Sequence, residues 1–299
     1  MLVNQNEEKK KYIKKILREY SNKFELYGDF AASVRRLMFL FLKSAQINFH
    51  SIIYRPKEVY SLKQKIKRKS IKGRIYSVLD EISDLAGVRI ILYFKSDIPK
   101  VVDIINHEFI VHHEENVDKN NIEEDLEQTS GYTSIHRVVS FNKSREILKE
   151  YYHFVGLKCE IQVRTVLQHA WAEIEHSIGY KPAFHENSIA RKNIKKIFKL
   201  TAKQLELADA NFVNIYNKYN ELLNKYQKKI NKRKLNIPIN AESIESYLLK
   251  KENLQKIPEA KKNLLIVKYL ELAKNTQIKT IKELDKLILE KEGINEPSN

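Results

Sequence analysis

The chain has 299 residues, 42% of them apolar, enough to bury a core in one large domain or two modest ones. Its 54 basic against 38 acidic residues leave a formal net charge of +16, which favours polyanionic partners such as nucleotides, RNA or an acidic surface. One cysteine, Cys159, excludes an internal disulfide and fits a reducing cytoplasm, while the polar start and the lack of any apolar run near ~20 residues predict neither a signal peptide nor a membrane span.

Residues 6–46 read as two helices. Tyr12, Ile16 and Tyr20 recur at helical spacing, a break is expected at Gly28-Asp29, and an apolar run follows over 34–42. Residues 47–54 read as a strand and 61–69 as a basic helix. Arg55 and Lys57 leave the strand on one side, because strand side chains alternate, and Ser61 and Lys65 share a helix face. Four donors thus gather near a helix N-terminus, which itself attracts anions. The arrangement suits a triphosphate; a solvated basic helix is the alternative.

Asp84 precedes residues 85–94, a nearly continuous apolar run that reads as a buried central strand. Ser96-Asp97 can cap a helix over 98–106, a short strand is expected at 109–113, and 117–130 reads as a polar loop. Two more strands are expected at 132–141 and 157–165, the second carrying Glu160 and Arg164. Asp84 and Glu160, brought together from distant strands, can hold a magnesium ion, which takes one or two carboxylates besides phosphate oxygens and water. Either acid could instead accept a proton from an attacking hydroxyl, or simply pair with Arg89 or Arg164. Tyr132, Ser134 and His136 point to one face by alternation, as a nucleobase platform or as the face of an amphipathic edge strand. Cys159 points away from Glu160 and reads as a small buried residue. A helix follows over 166–178, with Trp171 and Ile174 turned to the core. His169, Glu173 and His176 on it lack the His-Glu-x-x-His zinc spacing.

The pattern changes after Lys181. Ile194, Phe198, Thr201, Leu205, Ala208, Phe212, Ile215, Tyr219, Leu222 and Tyr226 fall at alternating spacings of four and three. That is a heptad seam on a long helix, which packs back on the body or pairs with a partner helix. A basic linker over 228–234 leads to Pro238 and Asn240, and then to helices at 243–251, 258–273 and 279–291. The expected class is α+β: a mixed β-sheet flanked by helices, followed by a long helix and a small all-α C-terminal module. The expected division is 1–46 for the N-terminal helices, 47–181 for the catalytic body, 182–227 for the long helix and 238–299 for the module.

Five segments in this order resemble the synthetase domain of the RelA/SpoT alarmone enzymes, and most of all the small stand-alone synthetases, over roughly 47–181. They are Arg55-x-Lys57-x-x-x-Ser61-x-x-x-Lys65, Asp84-Leu-Ala-Gly-x-Arg89, Gly131-Tyr132-x-Ser134-Ile-His136, Glu160-Ile-Gln-Val-Arg164-Thr165 and Trp171-Ala172-x-x-Glu175-His176. The resemblance implies a nucleotidyltransferase-like fold and transfer of the β,γ-pyrophosphate of ATP to a ribose 3′-hydroxyl, with Mg2+. It implies Arg55 and Arg89 on either side of adenine, and Lys57, Ser61 and Lys65 on the ATP phosphates. Asp84 would hold the ion, and Glu160 would help to hold it or take the 3′-hydroxyl proton. Tyr132 would stack on the acceptor base with Ser134 nearby, while His136, Gln162 and Arg164 line the junction of donor and acceptor.

The family points to a guanosine nucleotide as acceptor, and so to (p)ppGpp synthesis. Two departures resemble a toxic branch that pyrophosphorylates the 3′ end of tRNA. Thr133 stands where the family usually has arginine, and residues 114–130 carry seven acids against Lys119. Basic clusters at Lys9-Lys10-Lys11, Lys67-Arg68-Lys69 and 228–234 could hold an acceptor stem. A third reading is a non-catalytic RNA-binding regulator. The family's separate hydrolase domain and its His-Asp signature are missing, so the expectation is synthesis without degradation, in the cytoplasm. The sequence leaves open a second copy of the chain or an antitoxin as protein partner.

Overall fold

The computed structural model describes residues 2–71, 73–113, 117–118, 134–179, 189–251 and 259–292. The chain divides into two units, Met1–Asn211 and Phe212–Asn299.

The first unit opens with helices α1 (Leu2–Asn22) and α2 (Phe24–Ser44). The break falls at Lys23 (φ −105°, ψ 7°), not at Gly28-Asp29. Gly28 stays inside α2 because a lone glycine costs a helix only about 1 kcal/mol, which tertiary packing overrides. That packing comes from Tyr27, Phe30, Ala31, Val34, Met38 and Leu42, buried at helical spacing on one face. A Cβ at Gly28 would make ordinary contact with the Pro56 side chain, 3.7 Å away.

Strand β1 (Phe49–Pro56) leads to helix α3 (Val59–Ile71), and then come β2 (Ala86–Leu92), α4 (Ile98–Glu108), β3 (Ile110–Val111) and β4 (Val117–Asp118). After these come β5 (Ile135–Ser140), the short α5 (Lys143–Glu146), β6 (Cys159–Thr165) and α6 (Val166–Gly179). Asp97 precedes α4 but makes no side-chain cap; its carboxylate pairs with Lys100 at 2.8 Å instead. The expected loop at 117–130 begins with β4, and 119–130 lies outside the described residues.

Among the described residues six strands form one mixed sheet in the order β1-β2-β6-β5-β3, with β4 also on β5. The β2–β6 pair is parallel and the others are antiparallel. Alternation divides the two faces. Ile52, Val88, Ile90, Cys159, Ile161, Val163 and Val139 are buried on one face, in the same core as α2. Phe30, Phe141 and Phe154 pack ring to ring at its centre.

On α6 Trp171 is buried as expected, but Ile174 is 53% exposed. The inward stripe runs through Gln168, Trp171, Ala172 and Glu175 instead, so Ile174 falls off it. Helix α7 (Ile189–Asn231) follows. In the first unit its expected seam lies inward at Ile194, Phe198, Thr201, Leu205 and Ala208. Phe212, Ile215 and Tyr219 are exposed, and burial follows Ala202, Asp209, Leu223 and Ile230. The repeat of seven persists, one residue later than expected. Within the second unit, α8 (Ala241–Lys251), α9 (Glu259–Asn275) and α10 (Ile281–Glu292) enclose Ile237, Ile244, Leu248, Ile281 and Leu284. Asn240 caps α8: its Oδ1 accepts from Ser243 N at 2.7 Å while its own N–H donates to Ser243 Oγ at 3.0 Å. Among the described residues no helix is long and apolar enough to cross a membrane.

Candidate active site

The register of four strands sets a polar row on the open sheet face. Arg55 faces Gly87, and Gly87 faces Glu160; Arg89 faces Gln162, which faces His136. Gly87 has no side chain, so the lane between Arg55 and Glu160 stays open. A cleft of about 440 Å³ lies there, lined by Arg55, Lys57, Ser61, Asp84, Arg89, Glu160, Gln162 and Arg164.

Asp84 comes from the segment before β2. Lys57 Nζ donates to its Oδ2 at 2.8 Å, and Lys65 Nζ reaches its Oδ1 at 2.7 Å from α3. The second contact is an ion pair whose angles fall short of a hydrogen bond. Lys65 thereby joins the site through Asp84 although it does not line the cleft.

Glu160 is the hub of a second network. His136 Nδ1 lies 3.0 Å from its Oε1, and Gln162 Nε2 donates to its Oε2 at 2.7 Å. A carboxylate only accepts, so Nδ1 carries the proton; in neutral His136, Nε2 then accepts from the Ser134 hydroxyl at 2.7 Å. Burial works against the Glu160 charge, but the His136 and Gln162 hydrogen bonds and the Lys57 charge prevail and hold the carboxyl at about 2. Gln162 Oε1 accepts from Arg164 at 2.7 Å and, at 3.4 Å, from Arg89 Nε. Burial and the neighbouring Arg89 lower Arg164 to about 10, so it remains a cation at neutral pH. Thus Ser134, His136, Glu160, Gln162 and both arginines form one connected chain of polar contacts.

All the expected site residues that fall within the described residues come to this cleft or its immediate network. Tyr132 lies outside the described residues. Glu173, given no role in the sequence reading, also lines the cleft and accepts from Arg89 at 2.6 Å; Ala172 and His176 line the same wall. Their spacing on one helical face was the available signal.

Behind the row, the junction of β6 and α6 is tied by buried polar groups. Thr165 Oγ1 donates to Asp209 Oδ2 of α7 at 2.8 Å, and Gln168 N donates back to Thr165 Oγ1 at 3.1 Å. Asp209 is 1% exposed. Among the described residues no three or more His, Cys, Asp or Glu side chains gather as a metal site. Asp84 and Glu160 are a two-carboxylate set of hard oxygen donors, which fits an ion that takes its other ligands from phosphate and water.

Residues 54–184 match the family described as the region found in RelA / SpoT proteins. Over 127 residues the chain is 32% identical to GTP pyrophosphokinase YwaC of Bacillus subtilis (strain 168), and over 137 residues it is 34% identical to GTP pyrophosphokinase YjbM of the same organism. Each match covers 42% of this chain, and they cover 56% and 54% of the relatives, so the chain spans about half the length of the curated relatives it matches. The crystal structure of small alarmone synthetase 1 from Bacillus subtilis shares the fold, with a TM-score of 0.54 at 22% identity over 68% of this chain and 99% of that one. The motifs, the sheet and these matches agree that residues 54–184 are similar to the region found in RelA / SpoT proteins.

Proposed function

We propose that the chain is an ATP-dependent pyrophosphokinase that moves the β,γ-pyrophosphate of ATP to the ribose 3′-hydroxyl of a guanosine nucleotide. One observation carries the reading: Asp84 and Glu160, from segments far apart in sequence, line a single cleft with Arg55, Lys57, Arg89 and Arg164. Arg55 and Arg89 stack on adenine, and Lys57, Ser61 and Lys65 take the phosphates. The lysines that now neutralise Asp84 turn to the arriving phosphate oxygens. Asp84 and Glu160 would hold magnesium, which when bound neutralises phosphate charge.

Glu160, ionised at neutral pH, has free lone pairs to accept the acceptor hydroxyl and aim its oxygen at the β-phosphorus. The new O–P bond forms as the bond from the β-phosphorus to the α,β-bridging oxygen breaks, the hydroxyl proton passes to Glu160, and AMP leaves. Arg164, desolvated and cationic, faces the charge that spreads over the transferring group. Tyr132, Ser134, His136 and Gln162 hold the acceptor side. The names of the two curated relatives support guanosine nucleotides as acceptors.

One sequence feature favours a second acceptor, the 3′ end of tRNA: the acidic stretch 114–130 repels a diphosphate. Incubation with γ-labelled ATP and either GDP or bulk tRNA separates the two. Label in a guanosine product is expected; label in tRNA alone would replace the acceptor, and label in neither would sink the enzyme reading.

A further inference from the structure

We propose that Tyr20 of α1 is a positioning residue of the nucleotide site, holding the backbone from which Lys57 and Asp84 reach each other. The inference rests on the reading of the cleft as an ATP site.

Tyr20 is wholly buried, packed against Phe24 and Tyr27. A buried phenol hydroxyl is costly unless it finds a partner, and phenylalanine would fill the same space without that cost. The hydroxyl donates to the Lys57 carbonyl at 2.5 Å, and the Leu85 carbonyl lies 3.2 Å away. Leu85 follows Asp84 directly, so one hydroxyl touches the main chain of Lys57 and of the residue next to Asp84. Burial pushes this phenol well above its ordinary range, so it remains a donor.

The sheet supplies part of this hold. The last paired residues of β1 and β2 are Pro56 and Ala86. Just beyond them Lys57 N donates to Leu85 O at 2.8 Å. Lys57 and Asp84 therefore project from the last rung of the ladder. Tyr20, 65 residues from Leu85, clamps that end from a third element. Their side chains meet at 2.8 Å and Lys65 closes the cluster at 2.7 Å. Small displacements at such a cluster are expensive, because its function is placement of charge.

A double-mutant cycle tests it, with the dissociation constant of a non-hydrolysable ATP analogue and magnesium as the readout. Y20F is expected to weaken binding about tenfold with Lys57 present and less than about twofold beside K57A, since coupled neighbours are non-additive. Adenosine, which lacks phosphates, is expected to bind wild type and Y20F alike. The ratio of the two affinities does not depend on the folded fraction. Tyr27→Phe, its ring 5.5 Å from Tyr20, keeps wild-type affinity. Equal weakening in both Lys57 backgrounds, equal loss for adenosine, or an unchanged Y20F would overturn the inference. Wild-type protein that fails to bind the analogue would overturn the ATP reading with it.

Discussion

At the scale of single residues, Glu160 decides the character of the cleft. Its carboxyl sits at about 2 instead of 4.5, against the pull of burial. A carboxyl held lower in the fold than in the unfolded chain contributes stability above its unfolded value and loses it as pH falls through its folded value. Glu160 therefore adds stability above about pH 4.5 that fades toward pH 2. Replacing His136 with Ala and Gln162 with Leu removes the groups that oppose burial, so the carboxyl rises and the acid edge of melting temperature against pH moves upward. An unmoved edge would deny the network this role. Glu160→Ala is expected to cut label transfer by about 100-fold or more. Full label transfer in that variant would strip Glu160 of its catalytic role, and an unchanged cellular phenotype would favour the regulator reading.

The residue-level pattern was legible wherever neighbours along the chain carry it. Alternation alone puts Glu160, Gln162 and Arg164 on one face and Cys159 on the other, and the burial of β6 follows it as far as Val163, while Arg164 is itself buried. Tyr20 was legible only as an apolar point on a helix. Nothing near position 20 tells a buried phenol that its acceptors are the carbonyls of Lys57 and Leu85.

At the scale of elements, two joints are open to measurement. The Thr165–Asp209 hydrogen bond ties α7 to the end of β6, one residue past Arg164. Asp209→Ala leaves a buried hydroxyl without its acceptor, a loss of about 1–3 kcal/mol. Thermal denaturation should show a melting temperature lower by several degrees, and no change would mean that the contact is dispensable. Gly28 is the opposite case. Its helical backbone and the open 3.7 Å approach to Pro56 admit a methyl group, so Gly28→Ala is expected to stabilise by about 0.5–1 kcal/mol. A drop in melting temperature would mean that α2 cannot take even that contact. The expected helix break at Gly28 failed for the same reason: propensity is a weak force beside a buried face of six side chains.

At the scale of the whole molecule, the +16 charge bears on association rather than on the fold. If the tRNA end is the acceptor, complex formation should weaken steeply with salt, by orders of magnitude between about 50 and 200 mM, as neutralised phosphates release counterions. Filter binding across that range checks it, and a flat response would exclude a basic surface as the means of capture.

The sequence by itself determined the periodic features: the two faces of β6, the run of seven along α7, the helices of the second unit and the basic balance. These depend on residues a few positions apart, so local spacing carries them. Tertiary structure alone decided the parallel register that sets Gly87 beside Glu160, the grip of Lys57 and Lys65 on Asp84, and the contacts of Tyr20 with Lys57 and of Asp209 with Thr165. Those contacts join segments tens of residues apart. They form because burying one sheet face against α2 fixes where the opposite face must bring its charges together, and no local pattern encodes that choice.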